Sequence, residues 1–461
     1  MYSLLKRRLG YIICFCKAAA FASVLVFGYK LVDYAVLEYL TTYFTNSSNY
    51  NLKKAAAFVN IQEGLSASFA FINIWYAFRS PLTVIIRSAV SCICGLVALF
   101  LTTLAQFREK TDMFNIIGVV LLAAGEAGLK TFLKAFLGDQ LRAHEPKPSE
   151  NENPSVNENP SENENPSVNK NRVKARRTTW WIVAWICSVI AAYYVNDTPW
   201  PKTLIISASI MGVTLILFLL GICFYHSKES ADRGTVRGVK EIKRVFKMVP
   251  LWINFVVLGL LVSTANTFFP EQGYNMNNSK FYIVVLIIPS VLQKIKGFLS
   301  ILFVPNWDKK TKNQVNKWKI GAGMMLSIFC FAVAWRVEVH RLNIVNKEGG
   351  NSDENIPMSV FWLAPQFFLL GLMLVLATDG LDKIVIDQFK ESPEYATTIN
   401  EFVIGIGSFL NILYVHVNGS LFSETLNESQ LDKHYQTCTV VSFINFCSYI
   451  FISAIYTSNE G

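Results

Sequence analysis

Charged side chains stand inside otherwise apolar stretches at a few places: Lys30 and Asp33, Glu63, Glu126 and Lys130, Lys294 and Lys296, and Asp379, Asp382 and Lys383. Facing lipid, each would cost several kcal/mol, so such groups must face protein or water and pair with one another. The chemistry open to them is reversible: holding a proton, an ion or a polar solute, and releasing it when the pairing changes. Glu126 and Lys130 are four apart with the acid first, the favourable order for an ion pair on one helix face. Nothing points to covalent chemistry. The histidines are scattered, and neither a nucleophile turn nor metal-ligand spacing occurs. Cys14/Cys16 and Cys92/Cys94 are two apart, so on a helix they point about 200° apart and cannot share a metal. The expectation is no enzyme, no metal and no cofactor.

The elements that must position these charges are membrane spans. Of 461 residues, 52% are apolar and 16% charged, and mean hydropathy is +0.34; this composition reads as a polytopic all-α membrane protein. The net charge of +9 falls mostly in short loops between apolar runs, the pattern of topology signals rather than of nucleic-acid binding. Lys6, Arg7 and Arg8 precede an apolar run with no convincing cleavage site, so the first span, through Phe44, is read as retained. Further spans follow at Ala55–Ala77, Leu82–Thr103, Asn115–Leu137, Trp180–Val195 and Thr203–Tyr225. The fourth reads as interrupted by Gly125–Lys130.

Residues 142–177 repeat Glu-Asn-Pro-Ser at Glu152, Glu158 and Glu164 with almost nothing to bury, which reads as a disordered loop. The basic cluster Lys170–Arg177 places that loop in the cytoplasm. A basic linker, 226–247, follows, and its Val239–Val249 part has the pattern of a helix lying on the inner membrane surface. Six more spans then read as Pro250–Phe268, Phe281–Pro305, Trp318–Val337, Phe361–Ile386, Ile399–Val417 and Cys438–Tyr456. The expected organisation is a six-span half (1–225), the linker, and a second six-span half (248–461). With both termini inside, the Asn-x-Ser/Thr acceptors at Asn46, Asn196, Asn277, Asn418 and Asn427 all fall in exterior loops.

Two six-span halves joined by a basic linker resemble the major facilitator layout, whose solute site lies near the midplane between the halves. Four stretches narrow the resemblance: NIQEGLSA from Asn60, LAAGEAGLKTFLKAFLGDQL from Leu122, FFPEQGYNMN from Phe268, and WLAPQFFLLG from Trp362 with Asp387-Gln-Phe. Together they are similar to the plant nitrate/peptide transporters of the proton-coupled oligopeptide transporter family. That resemblance implies a twelve-span fold and proton-linked uptake of nitrate, di- or tripeptides or a related anion. The expected partners are therefore a small-molecule or anion substrate, protons and the lipid bilayer.

The departures bear on mechanism. Where the family carries Glu-x-x-Glu-Arg in span one, the best register here places Val26, Tyr29 and Lys30. The span-four lysine remains as Lys130, followed by Thr131 instead of proline, and the span-ten glutamate falls on Leu374. Of the gating motif after span two only Arg79 remains. Fold retention with rewired proton coupling is the expectation: Lys130 meets the anion or the proton carrier, Glu126 balances it, and Lys30 and Asp33 form a second internal pair. Glu63, Asp379 and Lys383 complete the candidate set for substrate or proton coupling, with Arg79 in gating. The alternative is a non-transporting member acting as a sensor or interaction scaffold. The expected location is the plasma membrane or the vacuolar membrane.

Overall fold

The computed structural model describes residues 16–77, 80–143, 166–226, 238–277, 281–302, 308–347, 356–388 and 393–458. The first six spans are built by α1 (Lys17–Ala35) with its short continuation α2 (Leu40–Asn46), then α3 (Leu52–Ala77), α4 (Pro81–Thr102), α5 (Thr111–Ala143), α6 (Pro166–Val195) and α7 (Trp200–Leu220). The second set comprises α8 (Gly238–Tyr274), the pair α9 (Tyr282–Leu286) and α10 (Ile288–Leu302), α11 (Lys309–Lys347), α12 (Ala364–Gln388), α13 (Pro393–Val417) and α14 (Leu431–Ser458). Eleven helices among the described residues are long and apolar enough to cross a membrane. The expected eighth span is present in two pieces, because the helix breaks at Ile287, two residues before Pro289, where proline cannot donate a backbone hydrogen bond.

Helices stay helical in such a setting because lipid offers no hydrogen-bond partner to a free backbone group. Their lipid-facing sides carry exposed Ile116, Ile190, Ile216 and Phe451, while Leu25, Tyr43, Phe255, Phe268 and Phe331 are buried. In the first bundle α1 packs on α6 and α7, and α5 on α3 and α4; in the second, α11 packs on α12 and α14, and α8 on α13. The principal bridge between bundles is α3 against α13. A short parallel pairing joins β1 (Met276–Asn277) to β2 (Ile356–Ser359).

Two local expectations change. Gly125–Lys130 does not interrupt the fourth span; α5 runs unbroken from Thr111 to Ala143. Its glycines form a packing face instead: a Cβ on Gly125 would sit 2.8 Å from the Cys92 backbone nitrogen on α4. Small residues let membrane helices approach to backbone contact, which replaces the missing hydrophobic drive between helices in lipid. The 239–249 segment likewise is not a separate surface helix, since it continues into the seventh span within α8. Of the expected loop 142–177, residues 166–177 are helical and begin α6; residues 144–165 and the rest of the linker, 227–237, lie outside the described residues.

Candidate functional site

The polar interior is built where the two bundles face each other. On α1, Lys30 Nζ lies 2.6 Å from the Asp33 carboxylate and over the Tyr29 ring, 4.7 Å from its centroid. One turn on, Trp185 Nε1 of α6 donates to the Tyr34 hydroxyl at 2.9 Å, which donates to Ser290 Oγ of α10 at 2.6 Å. The Lys30–Asp33 pair therefore sits beside a bridge from α6 through Tyr34 of α1 to the second bundle.

Helix α3 supplies the largest set of crossings. Glu63 accepts from Ser263 (2.9 Å) and Asn266 (2.9 Å) of α8 and from Ser408 (3.2 Å) of α13. Asn60, one turn earlier, accepts from Ser263, from Thr267 at 3.3 Å and from Asn411 at 3.3 Å. Every donor comes from the second bundle, so one carboxylate and one amide of α3 hold α8 and α13 together with it. Gln62 turns the other way and donates to Glu126 at 2.7 Å.

Lys130 of α5 is exposed between the bundles, as are Lys134 of the same helix and Glu401 of α13. The acid whose charge acts most strongly on Lys130 is Glu401, ahead of Glu126, Asp33 and Glu63. Within the described residues no carboxylate lies in ion-pair distance of Lys130, and the expected Glu126–Lys130 pair is not formed. The physical reason is that Glu126 is already bound by Gln62, while Glu401 approaches from the opposite bundle.

The two ends of the interface differ. At the end carrying residues 42–53, Glu271 of α8 accepts from Thr42 (2.8 Å) and Thr45 (2.9 Å) of the first bundle. Tyr39 packs edge-on against Tyr282, with centroids 5.4 Å apart. At the other end, α3 and α13 stay joined through the stacked Phe71 and Phe402 rings at 4.9 Å, and solvent reaches Lys130, Lys134 and Glu401. The bundles are held together at the Thr42 end, and the exposed Lys130, Lys134 and Glu401 lie away from it.

Asp379 and Lys383 belong to a separate cluster. Asp379 Oδ1 takes Lys296 of α10 at 2.8 Å, and Oδ2 takes Lys319 of α11 at 2.8 Å and Lys383 of α12 at 3.0 Å. Asp382 accepts from Asn400 at 2.9 Å. A third cluster is fully buried in the second bundle. Glu338 and Arg341 pair at 2.7 Å, Gln272 donates to Glu338 at 2.5 Å, Gln366 donates to Gln272 at 3.1 Å, and Arg341 reaches Asn427 at 2.5 Å.

The structure thus brings Lys30, Asp33, Glu63, Glu126 and Lys130 to one interior and places Asp379 and Lys383 elsewhere. Arg79 lies outside the described residues. Glu401, Lys134 and the Glu338–Arg341 pair were not expected. Glu401 sits in the first turns of an apolar run, where an acid reads as a flank. The available signal for Glu338 and Arg341 was their i,i+3 spacing at the end of the ninth span.

Two helical bundles held together at one end around a charged interior define a major facilitator-type membrane transporter fold. Solved structures agree over nearly the whole chain. An auto-inhibited POT family peptide transporter covers 95% of this chain and 96% of its own at TM-score 0.62 and 13% identity. The nucleoside transporter NupG covers 94% and 98% at TM-score 0.63 and 12% identity. Residues 229–420 match the PTR2 domain of the POT family. Among sequence relatives, Protein NRT1/ PTR FAMILY 5.10 of Arabidopsis thaliana is 22% identical across 94% of this chain and 91% of that protein. Protein NRT1/ PTR FAMILY 5.5 of the same plant is 30% identical across 48% of this chain and 45% of that protein. The family resemblance read from the motifs is borne out as a similarity to the POT and NRT1/PTR transporters over most of the chain, and the eleven apolar helices fit a multi-pass membrane protein.

Proposed function

We propose that the protein is a secondary-active transporter that moves a small solute, nitrate, a di- or tripeptide or a related anion, through the space between residues 1–225 and 248–461. One observation carries the reading: Lys130 of the first bundle and Glu401 of the second are both exposed, and Glu401 is the acid whose charge acts most strongly on Lys130. Opposite charges carried by two moving bodies couple charge to motion, because protonating the acid removes the attraction between them. In this chain Glu401 takes the part that the resemblance assigns to the span-ten glutamate, whose place is filled by Leu374. Proton linkage is thereby rewired onto α13, and Lys130, released when Glu401 is protonated, is free to meet an anionic group. The plasma membrane or the vacuolar membrane is the place for such a carrier.

The test is uptake of labelled nitrate and of a labelled dipeptide into oocytes at acid and at neutral external pH, with surface expression verified. Uptake that rises at acid pH, loses that rise in Glu401→Gln and disappears in Lys130→Ala supports the proposal. Uptake of neither solute by well-expressed wild type removes it for these solutes, and an undiminished acid response in Glu401→Gln removes the coupling role.

A further inference from the structure

Besides Lys130, two more lysines, Lys134 and Lys294, stand without a partner acid among the described residues. Lys134 Nζ of α5 lies over the Trp181 ring at 5.9 Å, and Lys294 Nζ of α10 over the Trp185 ring at 5.4 Å. Trp181 and Trp185 are four apart on α6 and both well buried, so their rings lie on one face of that helix. The two ammonium groups therefore come to the same strip of α6 from opposite bundles. Among the described residues no carboxylate lies within ion-pair distance of either.

The surroundings add positive charge. Lys294 is repelled by Lys30 and Lys134, with Asp33 the attractive neighbour. Lys134 is repelled by Arg177, Lys30 and Lys174, with Glu401 the attractive one. Asp33 is already bound to Lys30, and Glu401 acts first on Lys130. Two like charges held near each other away from bulk water are unfavourable unless something negative shares them. The tryptophan faces offset only part of this.

We infer that Lys134 and Lys294 form a two-sided clamp for the oxyanion group of the solute, a planar nitrate or a carboxylate, seated along the Trp181–Trp185 face. The clamp deepens the transport reading and rests on it for its purpose. Lys134 belongs to the first bundle and Lys294 to the second, so a bound oxyanion replaces repulsion between the bundles with attraction and draws them together. Each ammonium offers three N–H donors, enough to hold one oxygen and keep its contact with the ring.

The experiment is a titration of the purified full-length protein in detergent at fixed ionic strength, with binding read as a rise in melting midpoint. Potassium nitrate is one probe and dialanine the other, with C-terminally amidated dialanine as the control lacking a carboxylate. Stabilisation by nitrate identifies a free inorganic oxyanion as sufficient; stabilisation by dialanine but not its amide identifies a carboxylate on an organic solute. In either case Lys134→Gln and Lys294→Gln are each expected to weaken the response about tenfold or more, the loss of one charged hydrogen bond. Lys134→Arg and Lys294→Arg, which keep the charge, should stay within about threefold of wild type. Wild type indifferent to both probes overturns the clamp, as does an unaltered response in both Gln variants. Binding that depends on both lysines without uptake in oocytes leaves the clamp standing and removes transport; uptake with binding insensitive to both lysines does the reverse.

Discussion

Glu338 and Arg341 stand one turn apart on α11, 2.7 Å from Oε1 to Nη2, with neither side chain exposed. The pair is held from both sides, by Gln272 on the carboxylate and by Asn427 on the guanidinium. It therefore ties the ends of α8 and α11 and the segment before α14 into one buried polar unit.

Removing one partner from such a pair leaves a buried charge uncompensated. Glu338→Gln is expected to destabilise the protein by about 3–5 kcal/mol, seen as a large fall in melting midpoint and in detergent-stable yield. Combining it with Arg341→Leu should recover much of the loss. A double variant as unstable as Glu338→Gln alone would contradict the account.

Glu63 gathers three donors from two helices of the other bundle. Glu63→Ala leaves Asn266 and Ser408 without this acceptor, while Ser263 keeps Asn60, at about 1–3 kcal/mol for each group that stays buried. Glu63→Gln keeps one acceptor oxygen and should cost clearly less. Thermal unfolding of the two variants in detergent gives the order, and equal losses would show that the hydrogen bonds do not hold the interface.

Asp379 holds three cations, Lys296, Lys319 and Lys383. Asp379→Asn should lower stability through mutual repulsion of the three, and the deficit should shrink as salt rises, because these side chains are partly exposed and screened. Melting midpoints of wild type and variant across a salt series test this. A deficit independent of salt would assign the loss to packing instead.

The α4–α5 seam predicts a contrast between two glycines. Gly125→Leu must push α5 from the Cys92 backbone and should abolish a monodisperse peak in size-exclusion chromatography. Gly212→Leu, on α7 with nothing within 4 Å of its added Cβ, should elute as wild type.

How much of this was legible in the sequence depends on what each residue's neighbours are. Spans announce themselves locally, because lipid imposes length and hydropathy on each helix separately; Leu82–Thr103 was expected and Pro81–Thr102 is found. Lys30 and Asp33 pair as expected because both partners lie on one helix face. Glu126 and Lys130 meet the same local condition and do not pair, since Gln62 and Glu401 arrive from other helices. Glycine at 125 is ambiguous in one dimension: a break in a helix and a packing face have the same composition. Glu401 was missed because an acid near the start of an apolar run looks solvated until the facing helix is known.

The contact of α3 with α13 has a consequence for movement. A Cβ on Gly405 would collide with that of Ala67, and one on Gly64 would meet the Phe409 ring at 2.6 Å, so here the bundles touch through surfaces with almost no relief. Interlocked side chains would have to be lifted past one another; a smooth, narrow ridge lets one body roll on the other. On the proposed transport reading, the line through Gly64 and Gly405 would be the fulcrum on which the two bodies turn.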